Sequence, residues 1–198
     1  NCIAAGEKLQ ELSQYFQETA AGDSNDQATA NFYNGEAAML VQGSWAIAQM
    51  NGNNPEFEDK CGVFQFPGIE GANDPNRMIV KTDNLLMSST TEHQDAVIAL
   101  MKMFTDETAQ KYTAEVGGKF PINKDVEIDY DAAPAQLKYV QDIMENVTGT
   151  FGFYNESLDS VEAGDCFDNA MVEIFLGNQT PEEAFQTVQT FYEENVWE

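Results

Sequence analysis

Apolar side chains recur at helical spacing along most of this sequence, so the chain is predicted to be rich in α-helix. The first helix is predicted over residues 3–20, where apolar residues recur at steps of three and four. Another begins at Trp45 and stops at Asn51-Gly52. Further helices are predicted over 91–104, 106–116, 134–144 and 159–176, and a last one follows the capping box Thr180-Pro181-Glu182-Glu183.

Local signals also predict how several of these helices begin. Ser44 is expected to cap the helix of Trp45 with its hydroxyl, and Pro134 is expected at the first position of its helix. Thr91 and Gln94 have the spacing of a capping box. The helix that they open is predicted to turn its apolar stripe inward, with Val97, Leu100, Met101 and Phe104.

A few short segments have the pattern of β-strands. Residues 37–42 run from small to apolar and stop at Gly43, and residues 61–66 stop at Pro67-Gly68. Residues 148–155 are predicted to be a loop rich in glycine and aromatic residues. A helix-rich chain with few strands belongs to the α/β class.

Residues 78–89 form an extended segment whose middle, Lys81-Thr82-Asp83-Asn84, is polar. Burying an unpaired lysine or aspartate inside a sheet is costly, so this pattern is not that of an ordinary core strand. Two interpretations fit: a hairpin turn at residues 82–84, or a crossing strand whose centre lines a polar cleft.

The stretch from Phe32 to Trp45 brings an aromatic side chain to a position typical of ligand sites. Trp45 is predicted on the first turn of a helix, just beyond the carboxyl end of a strand. In open α/β sheets ligands bind at this end, where backbone N–H groups converge. A tryptophan ring there can stack on a sugar ring, although most tryptophans are simply core residues.

Charge and composition exclude several classes of function. Acidic residues outnumber basic ones by 34 to 9, which gives a net charge of −25 and argues against nucleic acids and anionic membranes as partners. No run of about 18 apolar residues is present, so no membrane span is predicted. The cysteines Cys2, Cys61 and Cys166 form no Cys-x-x-Cys unit, and whether any two of them pair is left open.

No catalytic constellation is recognisable in the sequence. The single histidine, His93, lies at the start of a predicted helix without a metal-ligand partner one turn away, and is expected at the surface. Nucleophile elbows, phosphate loops and His-Glu-x-x-His motifs are absent. The sequence therefore predicts no enzyme activity, no cofactor and no metal site.

Several motifs resemble those of family 1 extracellular solute-binding proteins, the sugar-type receptors of ABC importers. The first is Phe-x-Asn-Gly-x-Ala-Ala-Met at residues 32–39, followed by Gly-Ser-Trp at 43–45. The order of the later motifs is also similar: Gly-Val-x-x-x-Pro-Gly at 62–68, Gly-Gly-x-x-Pro-Ile-Asn at 117–123 and Gly-x-x-Thr-Pro-Glu-Glu at 177–183.

The resemblance implies a fold and a domain organisation. It implies a periplasmic-binding-protein-like lobe of type II, helix-rich with a small mixed sheet, and an incomplete second lobe. Family members are roughly twice as long, so the chain resembles their C-terminal half. Residues 1–83 and 150–198 would then form the C-terminal lobe, and the helices of 84–149 would belong to, or bridge toward, the N-terminal lobe.

The resemblance also implies an extracytoplasmic receptor, either a cell-surface lipoprotein or a periplasmic protein. It would bind a mono- or oligosaccharide between its lobes as a monomer and deliver it to the membrane permease subunits. Trp45 would stack on the sugar, and the polar centre of the extended segment would lie at the hinge. The candidate ligand-binding residues are Trp45, Ser44, Gly43, Asp83, Asn84, Lys81 and Tyr154.

Two other functions remain open at this point. One is a receptor for a non-sugar solute, a peptide or a polyamine, since the acidity of the chain would suit a cation. The other is a fragment of a secreted glycan-active enzyme whose catalytic residues lie outside this chain.

Overall fold

The computed structural model describes residues 2–68, 74–153, 158 and 160–197. Within them the chain forms eight α-helices and two short strands. The helices are α1 (Cys2–Ser13), α2 (Asn25–Tyr33), α3 (Ile47–Asn53), α4 (Gln94–Phe104), α5 (Glu107–Gly117), α6 (Ala135–Asn146), α7 (Val161–Leu176) and α8 (Pro181–Asn195). The strands are β1 (Arg77–Ile79) and β2 (Gly149–Phe151), and 3-10 turns cover Ser44–Ala46 and Pro55–Lys60.

The chain divides into two compact units. The first consists of Asn1–Ala28 and Phe151–Glu198, and the second of Thr29–Thr150. In the first unit α1, α7 and α8 pack together around the fully buried Ile174 and Ala184. Gly6 lets α1 approach α8 closely, since a Cβ at this position would lie 2.7 Å from the Cβ of Pro181.

The predicted capping box of α8 is confirmed. The Thr180 hydroxyl accepts from the Glu183 N–H at 3.2 Å, and the Glu183 carboxylate accepts from the Thr180 N–H at 2.9 Å. The Thr180 hydroxyl also donates to this carboxylate, and the two bonds that Thr180 makes to its charged form lower the pKa of Glu183. Both partners lie within four residues, which is why a sequence pattern alone predicts this helix start.

The second unit is built around the helices that follow the Trp45 turn. Ile47 and Met50 of α3, Ala114 of α5 and Leu137 of α6 are buried together. Next to them, Asn51 and the fully buried Gln136 exchange side-chain hydrogen bonds of 3.2 and 3.0 Å. These two hydrogen bonds offset the cost of taking the amide groups out of water, so the pair can lie next to an apolar core.

The two strands pair with each other in a small sheet. Beside the pairing, the Thr148 N–H donates to the Asn76 carbonyl at 2.9 Å, and the Thr148 hydroxyl donates to Asp74 at 2.7 Å. The Asn76 side chain also donates to the Asn146 carbonyl at the end of α6. The prediction of a loop throughout 148–155 is therefore wrong for residues 149–151, which form β2.

The two strands predicted over 37–42 and 61–66 are not found. Both stretches lack strand pairing in the part of the chain that the structure describes. Met39 and Val41 expose 73% and 71% of their surface, and Phe64 and Phe66 are exposed as well. A strand needs a neighbour to take up its backbone hydrogen bonds, and a sequence pattern does not supply that neighbour.

The first helix also ends earlier than predicted. The first helix stops at Ser13 rather than residue 20, where the side chains of Ser13 and Gln14 donate to the carbonyls of Gln10 and Glu11. Such local side-chain bonds compete with continued helix.

Three predicted helix starts are wrong by one or more residues. Gly43, not Ser44, precedes the first turn, and no side chain caps it. Helix α4 begins at Gln94 after His93, because the Thr91 hydroxyl accepts from the His93 N–H instead of forming a capping box. Pro134 is the residue before α6 rather than its first.

The apolar stripe of α4 does not face inward as predicted. None of the α4 side chains is buried, and Leu100 and Phe104 are exposed. The helix itself forms over most of its predicted range, so the amphipathic spacing did indicate a helix. Among the described residues, however, no surface packs against the apolar stripe closely enough to bury it.

We expect Gly118→Ala to destabilise the protein more than Gly177→Ala. Both glycines end a helix with positive φ, +66° and +72°, so alanine costs each about 1–2 kcal/mol. A Cβ at Gly118 would also lie 2.8 Å from the Ile47 Cβ and 2.9 Å from the Ser44 carbonyl oxygen, whereas no described atom lies within 4 Å at Gly177. Urea unfolding should show an additional loss of about 1–3 kcal/mol for Gly118→Ala.

Gly177→Ala is the matched control in this comparison, because it carries the backbone strain without the contact. Equal losses of unfolding free energy for the two variants would show that Gly118 is required only for its backbone conformation.

Candidate functional site

Trp45 lies on a turn that is anchored in the core of the second unit. It occupies the middle of the 3-10 turn Ser44–Ala46, and the next two residues, Ala46 and Ile47, expose only 2% and 3% of their surface. Trp45 itself remains 40% exposed. A rigid turn therefore presents part of a large aromatic ring to solvent, which is the property that a stacking platform requires.

Gly43 makes room for the Trp45 ring. A Cβ built on Gly43 would lie between 2.2 and 2.5 Å from three ring carbons, Cζ3, Cη2 and Cε3. The Gly43 backbone is extended, with φ −96° and ψ 169°, a conformation open to any residue. The absence of a side chain at this position is thus required by the ring, not by the backbone.

The loop after α5 contacts the Trp45 turn. Gly118 approaches both the Ser44 carbonyl oxygen and the Ile47 side chain so closely that a Cβ would not fit. The next residue, Lys119, places its Nζ 3.6 Å from the Oδ2 of Asp83. This loop therefore links Asp83, from the extended segment, to the turn that carries Trp45.

The remaining predicted residues of the extended segment flank Asp83. Lys81 and Asn84 are exposed, and no turn is assigned between residues 80 and 88. The segment is extended there, so the hairpin interpretation of residues 82–84 is wrong. Tyr154 lies outside the described residues.

Gly118 and Lys119 were missed as functional candidates. The sequence does contain a signal for them, the Gly-Gly-x-x-Pro-Ile-Asn motif at 117–123. The contact of Gly118 with Ser44 and the ion pair of Lys119 with Asp83 are both distant in sequence, so only the folded structure brings these residues to Trp45.

The cysteines do not contribute reactive chemistry to this site. All three are free thiols. Burial raises the pKa of Cys61 above its ordinary value, although a hydrogen bond with Gln136 partly opposes this, and burial raises the pKa of Cys166 as well. A raised pKa keeps a thiol protonated near neutral pH and makes it a poor nucleophile.

Among the described residues, no group of three or more His, Cys, Asp or Glu side chains is arranged to hold a metal ion. His93 precedes α4 at the surface, as predicted. None of the described helices combines the length and the apolar character needed to cross a membrane.

A family model for bacterial extracellular solute-binding proteins matches residues 3–139. The chain belongs to this family. The resemblance that the motifs around Trp45 suggested is therefore confirmed. No curated protein sequence matches the chain.

Solved structures share the fold of this chain. A chitin oligosaccharide binding protein matches 97% of it with a TM-score of 0.86 and 24% identity. A structure described under xylan utilization by the thermophilic bacterium Caldanaerobius polysaccharolyticus matches 95% with a TM-score of 0.82 and 22% identity. A Streptococcus pneumoniae solute-binding protein in complex with the blood group A-trisaccharide matches 96% with a TM-score of 0.66 and 17% identity.

The chain spans about half the length of these solved structures, 48%, 49% and 48% respectively. The match supports the predicted α/β fold, a helix-rich lobe of the solute-binding type with a small sheet. The family is one of extracellular solute-binding proteins, and two of these structures are named as binding proteins.

We expect Gly43→Ala to move the Trp45 ring while leaving the fold intact. The new methyl group overlaps the far edge of a side chain that can rotate away, and the backbone conformation suits alanine. In a Trp197→Phe background Trp45 is the one remaining tryptophan of the chain. Its fluorescence emission and its quenching by acrylamide should then change, with less than about 1 kcal/mol lost in stability.

Gly62→Ala is the control for this experiment, since no described atom lies within 4 Å of a Cβ there. It should leave the Trp45 emission as it is. An unchanged emission spectrum in Gly43→Ala would contradict the packing of the ring on Gly43.

Proposed function

We propose that this chain is the ligand-binding part of an extracytoplasmic ABC-importer receptor for a carbohydrate. One observation carries the proposal. Trp45 is partly exposed on a turn anchored in the core, and the loop of Gly118 and Lys119 lies against that turn. The same loop forms an ion pair with Asp83 of the polar extended segment. Apolar stacking together with a few placed polar groups is the composition of small-molecule sites. No catalytic device accompanies it among the described residues, which supports binding rather than turnover.

The relatives support a sugar as the ligand. The three solved structures concern a chitin oligosaccharide, xylan utilization and a blood group trisaccharide. Their sugars differ from one another, yet all are carbohydrates. We therefore propose a mono- or oligosaccharide as the solute of this receptor, without assigning its identity.

We assign the proposed binding residues separate roles. Trp45 provides the stacking surface, while Gly43 and Ser44 shape the turn beneath it. Lys81, Asp83 and Asn84 are exposed polar groups that can donate to or accept from sugar hydroxyls. Tyr154, the seventh candidate, is kept as a prediction from the sequence.

We also keep the predicted lobe assignment as a proposal, with residues 1–83 and 150–198 in one lobe and 84–149 reaching toward the other. The exposed apolar side chains of α4, together with Met39 and Val41, form surface that a further lobe would cover. Hinge closure of two lobes on a sugar is the change that permease subunits would read. The proposed location is the cell surface, as a lipoprotein, or the periplasm.

A receptor for a polyamine is the second candidate, and one observation favours it. The net charge of −25 attracts cations and would speed their association. The relatives that share the fold concern carbohydrates, which argues against a polyamine. The exposed tryptophan does not decide between the two, because an aromatic ring can bind a sugar face or a cation.

We expect a carbohydrate to raise the melting temperature of the protein expressed from its complete coding sequence. The panel should contain chitotriose, xylotriose, the blood group A-trisaccharide, spermidine and a short peptide. Binding to the native state alone stabilises it in proportion to the logarithm of ligand concentration, and a receptor should release no product. A shift with spermidine and none with any sugar would retain the receptor and reject the carbohydrate.

Trp45→Ala should weaken binding of the responding sugar about 10- to 150-fold, since burying a large side chain contributes about 1.5–3 kcal/mol. Trp197→Ala is the matched control, because Trp197 is also exposed but packs beside Tyr192 in the first unit. Isothermal titration should find its affinity unchanged. Equal affinities for Trp45→Ala and the unmodified protein would remove Trp45 from the site.

A further inference from the structure

The ion pair between Lys119 and Asp83 differs from three other ion pairs in the part of the chain that the structure describes. Lys8–Glu11, Lys60–Glu56 and Lys111–Glu115 each join neighbours three or four positions apart. Lys119 and Asp83 instead come from two separate segments, the loop after α5 and the polar centre of the extended segment. Their meeting is a property of the tertiary structure.

This pair is poorly suited to a structural role. Its side chains are 49% and 80% exposed, and exposed ion pairs contribute little to stability because water and salt screen them. The 3.6 Å between Nζ and Oδ2 is longer than a charge-assisted hydrogen bond, which is about 2.7–2.9 Å. A lysine ammonium has three donors and a carboxylate about four acceptor sites, so both groups retain capacity for a ligand.

The backbone before Lys119 is fixed on the Trp45 turn. Gly118 has a φ of +66° and lies so close to Ser44 and Ile47 that no larger residue fits. The Gly118 N–H also donates to the Ala114 carbonyl at 3.1 Å, which closes the end of α5. The backbone that carries Lys119 is therefore held in place beside the turn.

We propose that Lys119 and Asp83 form the hydroxyl-binding subsite of the Trp45 sugar site, and that it selects neutral sugars. This rests on the proposed function. Two adjacent hydroxyls of one sugar ring can use the pair together: one accepts from the Lys119 ammonium and the other donates to the Asp83 carboxylate. An acidic sugar that placed its carboxylate on Lys119 would compete with Asp83 for the ammonium and bring two carboxylates together in a chain of net charge −25, so it is disfavoured.

The test compares Lys119→Met with Lys111→Met in the protein expressed from its complete coding sequence. Lys111 is the matched control, since it lies 3.6 Å from Glu115 and is 46% exposed. The probes are chitotriose, xylotriose and the blood group A-trisaccharide, followed by titration calorimetry. We expect Lys119→Met and Asp83→Asn to weaken binding about 10- to 100-fold, the loss of one charge-assisted hydrogen bond, and Lys111→Met to leave it unchanged.

Three further measurements separate a binding role from a structural one. Lys119→Arg keeps the charge and should retain most of the affinity. A monodeoxy analogue that lacks the contacted hydroxyl should bind the unmodified protein and Lys119→Met with similar affinity. A uronic acid analogue of the responding sugar should bind more weakly than the neutral sugar, and this difference should shrink in Asp83→Asn.

The failures of the two proposals can be told apart. Sugar binding that depends on Trp45 but is equal in Lys119→Met and Lys111→Met would overturn the subsite and leave the receptor standing. No response to any sugar of the panel would overturn both. Equal melting temperatures of Lys119→Met and Lys111→Met are expected, and a selective loss for Lys119→Met would assign the pair to stability instead.

Discussion

The close approach of Gly118 to the Trp45 turn is the contact on which the proposed site depends. It brings the end of α5 against the Ser44 carbonyl and the buried Ile47 side chain, at a distance that only glycine allows. Because Ile47 belongs to the core of the second unit, the position of the turn and of the loop is fixed by packing. Trp45 and Lys119 are thus presented from two elements that pack side by side at Gly118.

The same region shows how apolar and polar requirements are divided. The core of the second unit fixes the turn from below, through Ala46, Ile47 and Met50. The exposed part of Trp45 and the charged groups of Asp83 and Lys119 lie outside that core. A site built in this way can change its polar residues, and so its sugar, without losing the packing that holds the aromatic ring.

The sequence predicted what depends on neighbours a few residues apart. The capping box of α8 is local in this sense, and the structure contains it. Helical spacing also gave the positions of most helices. Family membership followed from short motifs around Trp45, and it is confirmed.

The predictions that proved wrong concern features that depend on partners distant in the sequence. The apolar runs at 37–42 and 61–66 have strand-like composition, yet no strand pairs with them among the described residues. The stripe of α4 has helical spacing and no buried side chain. Lys119 was overlooked because its ion pair with Asp83 joins two segments whose proximity no local pattern reveals.

A crystal structure of the protein from its complete coding sequence, with the responding sugar bound, would test the central claim most directly. The account predicts a sugar ring stacked on Trp45, with neighbouring hydroxyls within hydrogen-bonding distance of Asp83 and Lys119. A sugar bound elsewhere, with the Trp45 ring still facing solvent, would contradict it.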